Sequence, residues 1–287
     1  MWGYLTSVYG NNTLTGLAAS SHQGGTFGDV FSFSGKTPAV AGYEFSDWAG
    51  SVISTAAING IIANYDAYHP IVQFQWHWML NGQSAWANQR TTPVNVANCT
   101  TPGTTEYNAV MTDLNLVAND IQVLQNHNIP IIFRPLHEID GGWFWWTDAS
   151  NPANTVNLYK LIYNYMTNTR GLNNIIWDWS SGCGSGLPPT SATNNFYPGS
   201  QYVDIIGADP YGRNFADDNV YFNSLWNALS SIDSTKMLAL AECGAVPNAS
   251  LMQQSVTPKW LYCLTWYGIA QDQYSSFTAD VANWQNP

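Results

Sequence analysis

Short apolar runs alternate along the chain with longer segments in which apolar residues recur every three or four positions. The runs are rich in β-branched and aliphatic residues and lie at 14–20, 38–45, 70–78, 129–138, 174–180, 203–211, 237–243 and 259–267. They are apolar almost without interruption, which is typical of strands buried on both faces of a parallel sheet. The alternation therefore predicts repeated strand–helix units.

Four of the intervening segments have the spacing of helices. They are Ser51–Tyr68, Glu106–Asn126, Thr155–Thr169 and Val220–Ile232. In the second of them Val110, Leu114, Val117, Ile121 and Leu124 fall on one helical face. Eight strands with intervening helices in a chain of 287 residues predict an α/β fold, a (β/α)8 TIM barrel that forms one domain over residues 1–287.

One long polar segment, 81–105, interrupts this alternation after the third strand. A stretch of that length without periodicity inside a compact domain is usually functional or mobile. It follows the carboxyl end of a strand, which is the side on which such barrels build their active sites. We expect it to lie near the site.

Polar and aromatic side chains gather where the apolar runs end. These residues are Gln75, His77 and Trp78 in the third run, Arg134, His137 and Glu138 in the fourth, Asp178 and Trp179 in the fifth, Asp209 and Tyr211 in the sixth, Glu242 in the seventh and Trp266 in the eighth. Because the carboxyl ends of barrel strands surround one mouth, we expect these side chains to converge there.

Alternation along a strand places Glu138 on the same face as Arg134, and Glu242 on the same face as Leu238 and Leu240. If the two leucines fill the barrel interior, both glutamates point into the mouth and face one another. Cleavage of a glycosidic bond needs such a pair, one group to protonate the leaving oxygen and the other to attack or to activate water. Tryptophan rings nearby offer flat surfaces for sugars.

The motif "RPLHEIDGGWFWW" at 134–146 resembles the acid/base motif of glycoside hydrolase family 26, whose members are mainly retaining endo-β-1,4-mannanases on a (β/α)8 barrel. The resemblance continues, in the right order, through "QWHW" at 75–78, "DPY" at 209–211, "AECG" at 241–244 and "LTWYG" at 264–268. It departs from the family pattern at Cys243, where an aromatic residue is more frequent. That side chain is expected to point away from the cleft.

The resemblance implies that Glu138 is the general acid/base and that Glu242 is the nucleophile. It also implies that Arg134 and Tyr211 hydrogen-bond Glu242 and keep it ionised. The other implied substrate-binding residues are His137 in the reacting subsite, Trp143 as a wall on the leaving-group side, His77 and Asp209 in contact with sugar, and Trp266 as a hydrophobic floor. Trp78, Trp146 and Trp179 are weaker candidates for the cleft.

Several of these residues have a structural alternative. His77 could be a hydrogen-bonded core histidine, and Asp209, which precedes Pro210, could only set a turn. Of the four consecutive aromatic residues at 143–146, we expect about half in the core and half in the cleft.

The charge balance excludes some partners. Eight Lys and Arg against 19 Asp and Glu give a net charge of −11, so no basic patch can neutralise the phosphates of a nucleic acid. No apolar run is long enough to span a membrane, and the amino terminus lacks the pattern of a signal peptide. Charged residues make up only 9% of the chain, which is typical of an extracellular protein. We expect a secreted monomer whose signal peptide is not part of this sequence.

The cysteines and histidines indicate no metal site. Cys99, Cys183, Cys243 and Cys263 are too far apart for a metal knuckle, and the five histidines are dispersed. One or two disulfides are one interpretation, and buried free thiols at Cys243 and Cys263 are the alternative. The expected chemistry needs no cofactor.

The two glutamates predict a glycosidase, and the resemblance to family 26 implies a retaining endo-β-1,4-mannanase that acts on mannan, glucomannan or galactomannan. The first alternative is the same machinery directed at β-glucan or β-xylan. The second is a glycan-binding protein without catalysis, which the presence of both glutamates disfavours.

Overall fold

Eight parallel strands close into a barrel in the order of the chain. The computed structural model describes residues 1–19, 30–31, 35–47, 52–183, 188–211, 219–244 and 259–266. The strands are β1 (Leu14–Ala18), β2 (Val40–Glu44), β3 (Ile71–Gln75), β4 (Ile131–Arg134), β5 (Ile175–Ser181), β6 (Ile205–Ala208), β7 (Met237–Cys243) and β8 (Tyr262–Thr265). Each pairs with the next, and β8 pairs with β1. The predicted (β/α)8 barrel is confirmed.

Five helices surround or flank the barrel in the described part of the chain. They are α1 (Trp2–Val8), α2 (Thr55–Tyr68), α3 (Thr105–Asn126), α4 (Pro152–Asn164) and α5 (Asn219–Ile232). The hydroxyl groups of Ser54 and Thr104 accept hydrogen bonds from backbone N–H groups in the first turns of α2 and α3, which explains where these helices begin. The predicted start at Ser51 lies outside the described residues, and α1 was not predicted.

The helix predicted over Thr155–Thr169 begins earlier, at Pro152, and its last turn is π-helical rather than α-helical. Pro152 occupies the first turn of α4, where its missing N–H costs no hydrogen bond. The last predicted turn, Tyr165–Thr169, continues α4 as a single π-helical turn.

Two apolar clusters make up the core. The inner one fills the barrel and includes Ile132, Ile176, Ile205 and Leu264 from four different strands. The outer one lies between the barrel and the helices, and it contains the predicted helical face of α3 together with the alternate residues of the strands. The inner layer gives way to polar side chains toward the carboxyl ends of the strands.

Side-chain alternation does not set the orientation of either glutamate as predicted. β4 ends at Arg134, so its alternation stops before Glu138. For β7 the predicted faces were wrong. Leu238 and Leu240 belong to the outer cluster, whereas Ala239 and Ala241 face the barrel interior. The pairing of β7 with β8 shifts register between Leu240 and Cys243, and such an irregularity reverses the side-chain alternation beyond it. Glu242 therefore reaches the barrel mouth although the leucines on its predicted face point outward.

The 81–105 segment, which was expected to be functional or mobile and to lie near the site, is built from short turns. It contains three short 3₁₀ turns, Leu80–Gly82, Ala87–Gln89 and Asn98–Thr100. The guanidinium of Arg90 donates hydrogen bonds to four backbone carbonyl groups of the same segment, those of Leu80, Gln83, Ser84 and Thr92. Arg90 thus holds this loop in shape, together with Gln83, whose side-chain oxygen accepts hydrogen bonds from Thr91 and Thr92.

All four cysteines are buried free thiols, so the disulfide interpretation is not what the structure shows. The sulfur atoms of Cys243 and Cys263 lie 3.2 Å apart across β7 and β8. Within the described ranges, no helix has the length and apolar character needed to cross a membrane.

Candidate active site

Glu242 is held at the end of β7 by two hydrogen bonds. Arg134 Nη1 donates to Glu242 Oε1 over 2.9 Å, and the Tyr211 hydroxyl donates to Glu242 Oε2 over 2.7 Å. The Glu242 side chain is almost completely buried. Each carboxylate oxygen of Glu242 therefore accepts a hydrogen bond, and one of the two donors is a guanidinium.

Arg134 lies at the centre of a buried polar network. Its guanidinium pairs with Asp209 and donates from Nε to the Ser180 hydroxyl over 3.0 Å. That hydroxyl donates to Asp178 Oδ1 over 2.6 Å. Burial disfavours the charge of Arg134, but the carboxylates of Asp209, Glu242 and Asp178 outweigh it and raise the pKa of Arg134 well above its usual value. Arg134 is thus a fixed positive charge beneath Glu242.

The sequence of β6 leaves room for this network. A Cβ atom on Gly207 would lie 2.3 Å from the Ser180 hydroxyl and 2.7 Å from Asp178 Oδ1. Any larger residue would displace the groups that fix Arg134, so the glycine is required by close approach. Gln75, the register neighbour of Arg134 on β3, accepts a further bond from Nη1 over 3.3 Å.

Glu138 lies in the turn that follows β4 and has a left-handed backbone with φ of 51°. This conformation is costly for a residue with a side chain and is found disproportionately at functional sites. The Trp143 indole N–H donates to Glu138 Oε2. One carboxylate oxygen from each of Glu138, Asp209 and Glu242 lies within 4.8 Å of the other two.

The two glutamates differ in their electrostatic surroundings. Burial, followed by the negative charge of Glu242, raises the pKa of Glu138 to about 8, although the hydrogen bond from Trp143 opposes the shift. Glu138 thus carries a proton at neutral pH, whereas Glu242 is paired with Arg134. A protonated carboxyl group thus lies beside a second carboxyl group that is paired with a guanidinium. Glycosidases divide the roles of proton donor and nucleophile between two carboxyl groups in different surroundings.

The Glu138, Asp209 and Glu242 trio is also the set of side chains, among the residues that the structure describes, whose spacing would suit a metal ion. Arg134 already neutralises two of these carboxylates. A cation bound there would compete with the guanidinium, and the absence of a metal requirement stays a prediction.

His77 and His137 lie next to each other beside the acidic pair. Their Nε2 atoms are 3.3 Å apart, and the Nδ1 atom of His77 is 2.6 Å from Glu44 Oε2. Burial, followed by the nearby charges of His77 and Arg134, lowers the pKa of His137 well below its usual value. His137 is therefore neutral.

Aromatic rings surround His77. The Trp86 ring stacks against it at 5.3 Å, and Trp266 and Phe144 approach it edge-on at 5.8 and 5.5 Å. Trp266 is half-buried and follows the end of β8. The predicted floor residue is thus brought together with the two histidines.

Most of the aromatic residues that were considered for the cleft lie in the core. Trp143 is half-buried, but Phe144, Trp145 and Trp146 are buried, as are Trp78 and Trp179. The indole N–H groups of the buried tryptophans donate to protein acceptors: Trp78 to Asp113, Trp145 to the Trp78 carbonyl, Trp146 to the His137 carbonyl and Trp179 to the Phe196 carbonyl. These rings support the site from behind, and the prediction of an even division was wrong.

Asp209 is placed behind Glu242 rather than at a free turn. Its side chain is fully buried against Arg134, and its Oδ1 atom has no hydrogen-bond partner among the described residues. The turn-only alternative does not account for a buried ion pair. Contact between Asp209 and a sugar stays a prediction.

A family model for glycosyl hydrolase family 26 matches residues 1–286. The chain belongs to this family. Family 26 is consistent with the barrel and with the positions of the two glutamates at the ends of β4 and β7.

Relatives in family 26 extend beyond the length of this chain. It is 36% identical over 211 residues to mannan endo-1,4-beta-mannosidase B of Piromyces sp., a match that covers 71% of this chain and 34% of that protein. It is 30% identical over 281 residues to the mannan endo-1,4-beta-mannosidase of Thermothelomyces thermophilus, covering 93% and 54%. The chain thus spans about one third to one half of these relatives.

A solved structure shows the same architecture. The β-(1,4)-mannanase of Podospora anserina superimposes with a TM-score of 0.78 and is 28% identical, covering 99% of this chain and 62% of that one.

Sequence reasoning overlooked three parts of this family 26 site. Glu44, at the end of β2, receives hydrogen bonds from the His77 backbone and ring. Trp86 belongs to the 81–105 segment, which pairs with the aromatic segment through a β-bridge between Trp86 and Phe144. Asp140 fastens the β4 turn to β5. Glu44 could have been recognised in the sequence as a polar residue near the end of the second apolar run. The positions of Trp86 and Asp140 depend on contacts that form only in the folded chain.

Proposed function

We propose that this protein is a retaining endo-β-1,4-mannanase that hydrolyses mannan, glucomannan or galactomannan. The observation that supports it best is the proximity of Glu138 and Glu242, whose carboxylate oxygens approach within 4.8 Å. Retaining glycosidases hold these groups about 5–5.5 Å apart, whereas inverting enzymes separate them by about 6.5–9.5 Å to admit water. The names of the relatives indicate mannan as the polymer.

In the first step Glu242 attacks the anomeric carbon while Glu138 gives its proton to the leaving glycosidic oxygen. The C–O bond to the leaving sugar breaks and an ester forms between the anomeric carbon and Glu242. Arg134 and Tyr211 aim Glu242 by occupying both carboxylate oxygens. The raised pKa of Glu138 keeps the proton available until the leaving oxygen needs it.

In the second step the ionised Glu138 takes a proton from a water molecule, whose oxygen attacks the anomeric carbon. The ester to Glu242 breaks, and Glu138 regains the proton it lost. Two inversions at one carbon give net retention. The charge of Arg134 stabilises Glu242 as the leaving carboxylate.

The residues around the pair supply the sugar contacts. Trp143 is half-buried beside Glu138 and forms the wall on the leaving-group side, whereas Trp266 forms the floor of the reacting subsite with His77 and His137. Asp209 supports Arg134 and lies within reach of the reacting subsite.

We propose that the enzyme acts outside the cell, because its substrate is a polymer and only 9% of its residues are charged. We also expect it to act as a monomer and without a cofactor. The excess of acidic residues, with a net charge of −11, speaks against nucleic acid as a partner.

Hydrolysis of three polymers tests the assignment. We expect release of oligosaccharides from β-1,4-mannan and glucomannan, and a kcat/KM at least about tenfold lower on mixed-linkage β-glucan and β-xylan, since each sugar mismatch in a site built from hydrogen bonds costs at least that factor. Activity confined to β-glucan or xylan would reject mannan as the substrate. Binding of mannan without release of reducing ends would favour a glycan-binding protein.

The pH dependence of kcat/KM follows from the surroundings of Glu138. Its pKa is raised to about 8, so the acid form required for the first step persists through neutral pH and is lost as the pH rises through about 8. We expect the alkaline limb of a bell-shaped profile near that value. Changing Glu138 to Gln should remove this limb from the residual activity on substrates with activated leaving groups, and a limb that persists in E138Q would assign it to another group.

A further inference from the structure

Asp140 is the ionisable group of the 134–146 motif that the reaction does not use. Its Oδ1 atom accepts a hydrogen bond from the Gly182 backbone N–H over 2.8 Å, and its Oδ2 atom accepts one from the Thr193 hydroxyl over 2.6 Å. The Ser181 hydroxyl lies 3.0 Å from both oxygens. Asp140 therefore ties the turn after β4 to the end of β5 and to the 3₁₀ turn Thr193–Phe196.

The residue held most directly by Asp140, Gly182, lies against the Trp143 ring. A Cβ atom on Gly182 would be 2.7 Å from Trp143 Cζ2 and 3.0 Å from Glu138 Cβ. The indole thus lies against the bare backbone of Gly182 and also against that of Gly141, where an added Cβ atom would be 2.3 Å from Trp143 Cζ2. A displacement of Gly182 would remove one of these two supports of the ring.

The Trp143 ring in turn donates its indole N–H to Glu138 Oε2. The contacts form a continuous series from the Asp140 carboxylate through Gly182 and Trp143 to Glu138. A second tether, from the Ile139 N–H to the Ser180 carbonyl over 3.0 Å, joins the same two segments next to Glu138.

We propose that Asp140 is a positioning residue whose carboxylate holds Gly182 against Trp143 and thereby keeps the indole N–H on Glu138. The importance of this for catalysis rests on the acid/base role of Glu138 proposed above. A carboxylate suits the task because it only accepts hydrogen bonds, and all three of its partners donate. Asparagine could accept from Gly182 N–H and donate to the Thr193 hydroxyl, so it should preserve part of the arrangement.

The position of the Trp143 indole affects the ionisation of Glu138. A hydrogen bond from Trp143 favours the charged carboxylate, so its loss should raise the pKa of Glu138 further. The other charged or titratable groups that face Glu138 are Glu242, Arg134, Asp140, Asp209 and Tyr211. None of these is replaced in Trp143→Phe, which removes the hydrogen bond without removing a charge. The methyl group of Gly182→Ala would also press on Glu138 Cβ, at 3.0 Å, so the two variants are compared.

Two substitutions test the inference, each with a matched control. Asp140→Ala removes the clamp, and Gly182→Ala inserts a methyl group beneath the indole. Asp148→Ala is the control for the first, because Asp148 also accepts hydrogen bonds from three residues, at the start of α4. Gly3→Ala is the control for the second, since a Cβ atom there meets nothing within 4 Å.

The primary measurement is the indole N–H resonance of Trp143 in ¹⁵N–¹H spectra, assigned as the peak that Trp143→Phe removes. We expect it to move or broaden in D140A and G182A, to move less in D140N, and to stay in place in D148A and G3A. In pH profiles of kcat/KM, G182A and W143F should move the alkaline limb upward by about one pH unit, the effect of losing one hydrogen bond to a charged group. D140A should show a smaller upward shift, because removal of the Asp140 charge opposes it.

An unchanged Trp143 resonance in D140A and G182A, with the fold intact by circular dichroism, would overturn the inference. So would a shift of the alkaline limb in D148A equal to that in D140A. The Trp143 resonance is recorded without substrate turnover. A failure of the positioning proposal can therefore be distinguished from a failure of the proposed function. A protein inactive on every polymer, yet with a displaced Trp143 signal in D140A, would retain the positioning contact and lose the proposed function.

Discussion

Replacing Glu242 by alanine is expected to lower kcat on β-1,4-mannan by on the order of a million-fold, the loss seen when a covalent nucleophile is removed. No other carboxylate among the described residues accepts hydrogen bonds from both Arg134 and Tyr211, so no other group can take over the attack. The measurement is reducing-end release at a single pH. Azide should restore turnover of a mannoside with an activated leaving group and give the product of inverted configuration, because a small anion enters the space of the missing carboxylate.

The control for this prediction is Glu106→Ala, which removes a carboxylate from the first turn of α3 that accepts no hydrogen bond from Arg134 or Tyr211. It should keep wild-type turnover. Since removing Glu242 leaves Arg134 with fewer partners, each variant is compared by thermal unfolding, and activity is attributed to Glu242 only where the fold persists. Loss of activity in E106A equal to that in E242A would contradict the assignment.

Replacing Glu138 by alanine is expected to lower kcat on mannan by about 10²- to 10⁴-fold, the usual contribution of general acid–base catalysis. The loss should depend on the leaving group. A substrate with an activated aryl leaving group needs no proton, so its first step should proceed at close to the wild-type rate. The ester on Glu242 should then accumulate, because no base activates water.

Azide distinguishes this variant from E242A. In E138A it should attack the accumulated ester and give the product of retained configuration, the opposite of the outcome for E242A. The stereochemistry of the two azide products is read by NMR. The same configuration from both variants would contradict the division of roles between Glu138 and Glu242.

The barrel could be predicted because its signal is local and repeated. Each parallel strand is an apolar run buried on both faces, and each outer helix has its own periodicity, so no long-range contact is needed to recognise them. The α1 helix was overlooked because its seven residues contain one buried residue, Leu5, and so show no helical periodicity of apolar residues. Short helices depend on tertiary packing rather than on a pattern of their own.

The candidate site was predictable where a polar residue ends an apolar run. Glu138, Arg134 and His77 stand out in this way. The orientation of Glu242 was reached through a wrong step, because its alternation with Leu238 is reversed by the register shift in β7. Irregularities of this kind depend on the neighbouring strand, which a single run of residues does not reveal.

The remainder of the site depends on contacts between distant segments. Trp86 meets His77 because the 81–105 loop folds back on the segment after β4, and Asp140 meets Gly182 across 42 positions of sequence. Too many of the four aromatic residues at 143–146 were predicted to lie in the cleft, because three of the rings are buried. Burial of consecutive residues in an irregular turn follows no fixed period, so the sequence could not separate Trp143 from its neighbours.

The central claim is that Glu242 attacks the sugar with Glu138 as its acid/base partner. Its most direct test is covalent trapping with a 2-deoxy-2-fluoro mannosyl fluoride, which reacts in the first step and slows the second, followed by mass spectrometry of the digested protein. We predict one adduct per chain, on the peptide that contains Glu242, and its absence from E242A. An adduct on any other carboxylate, or a first product of inverted configuration on mannan without an adduct, would contradict the account.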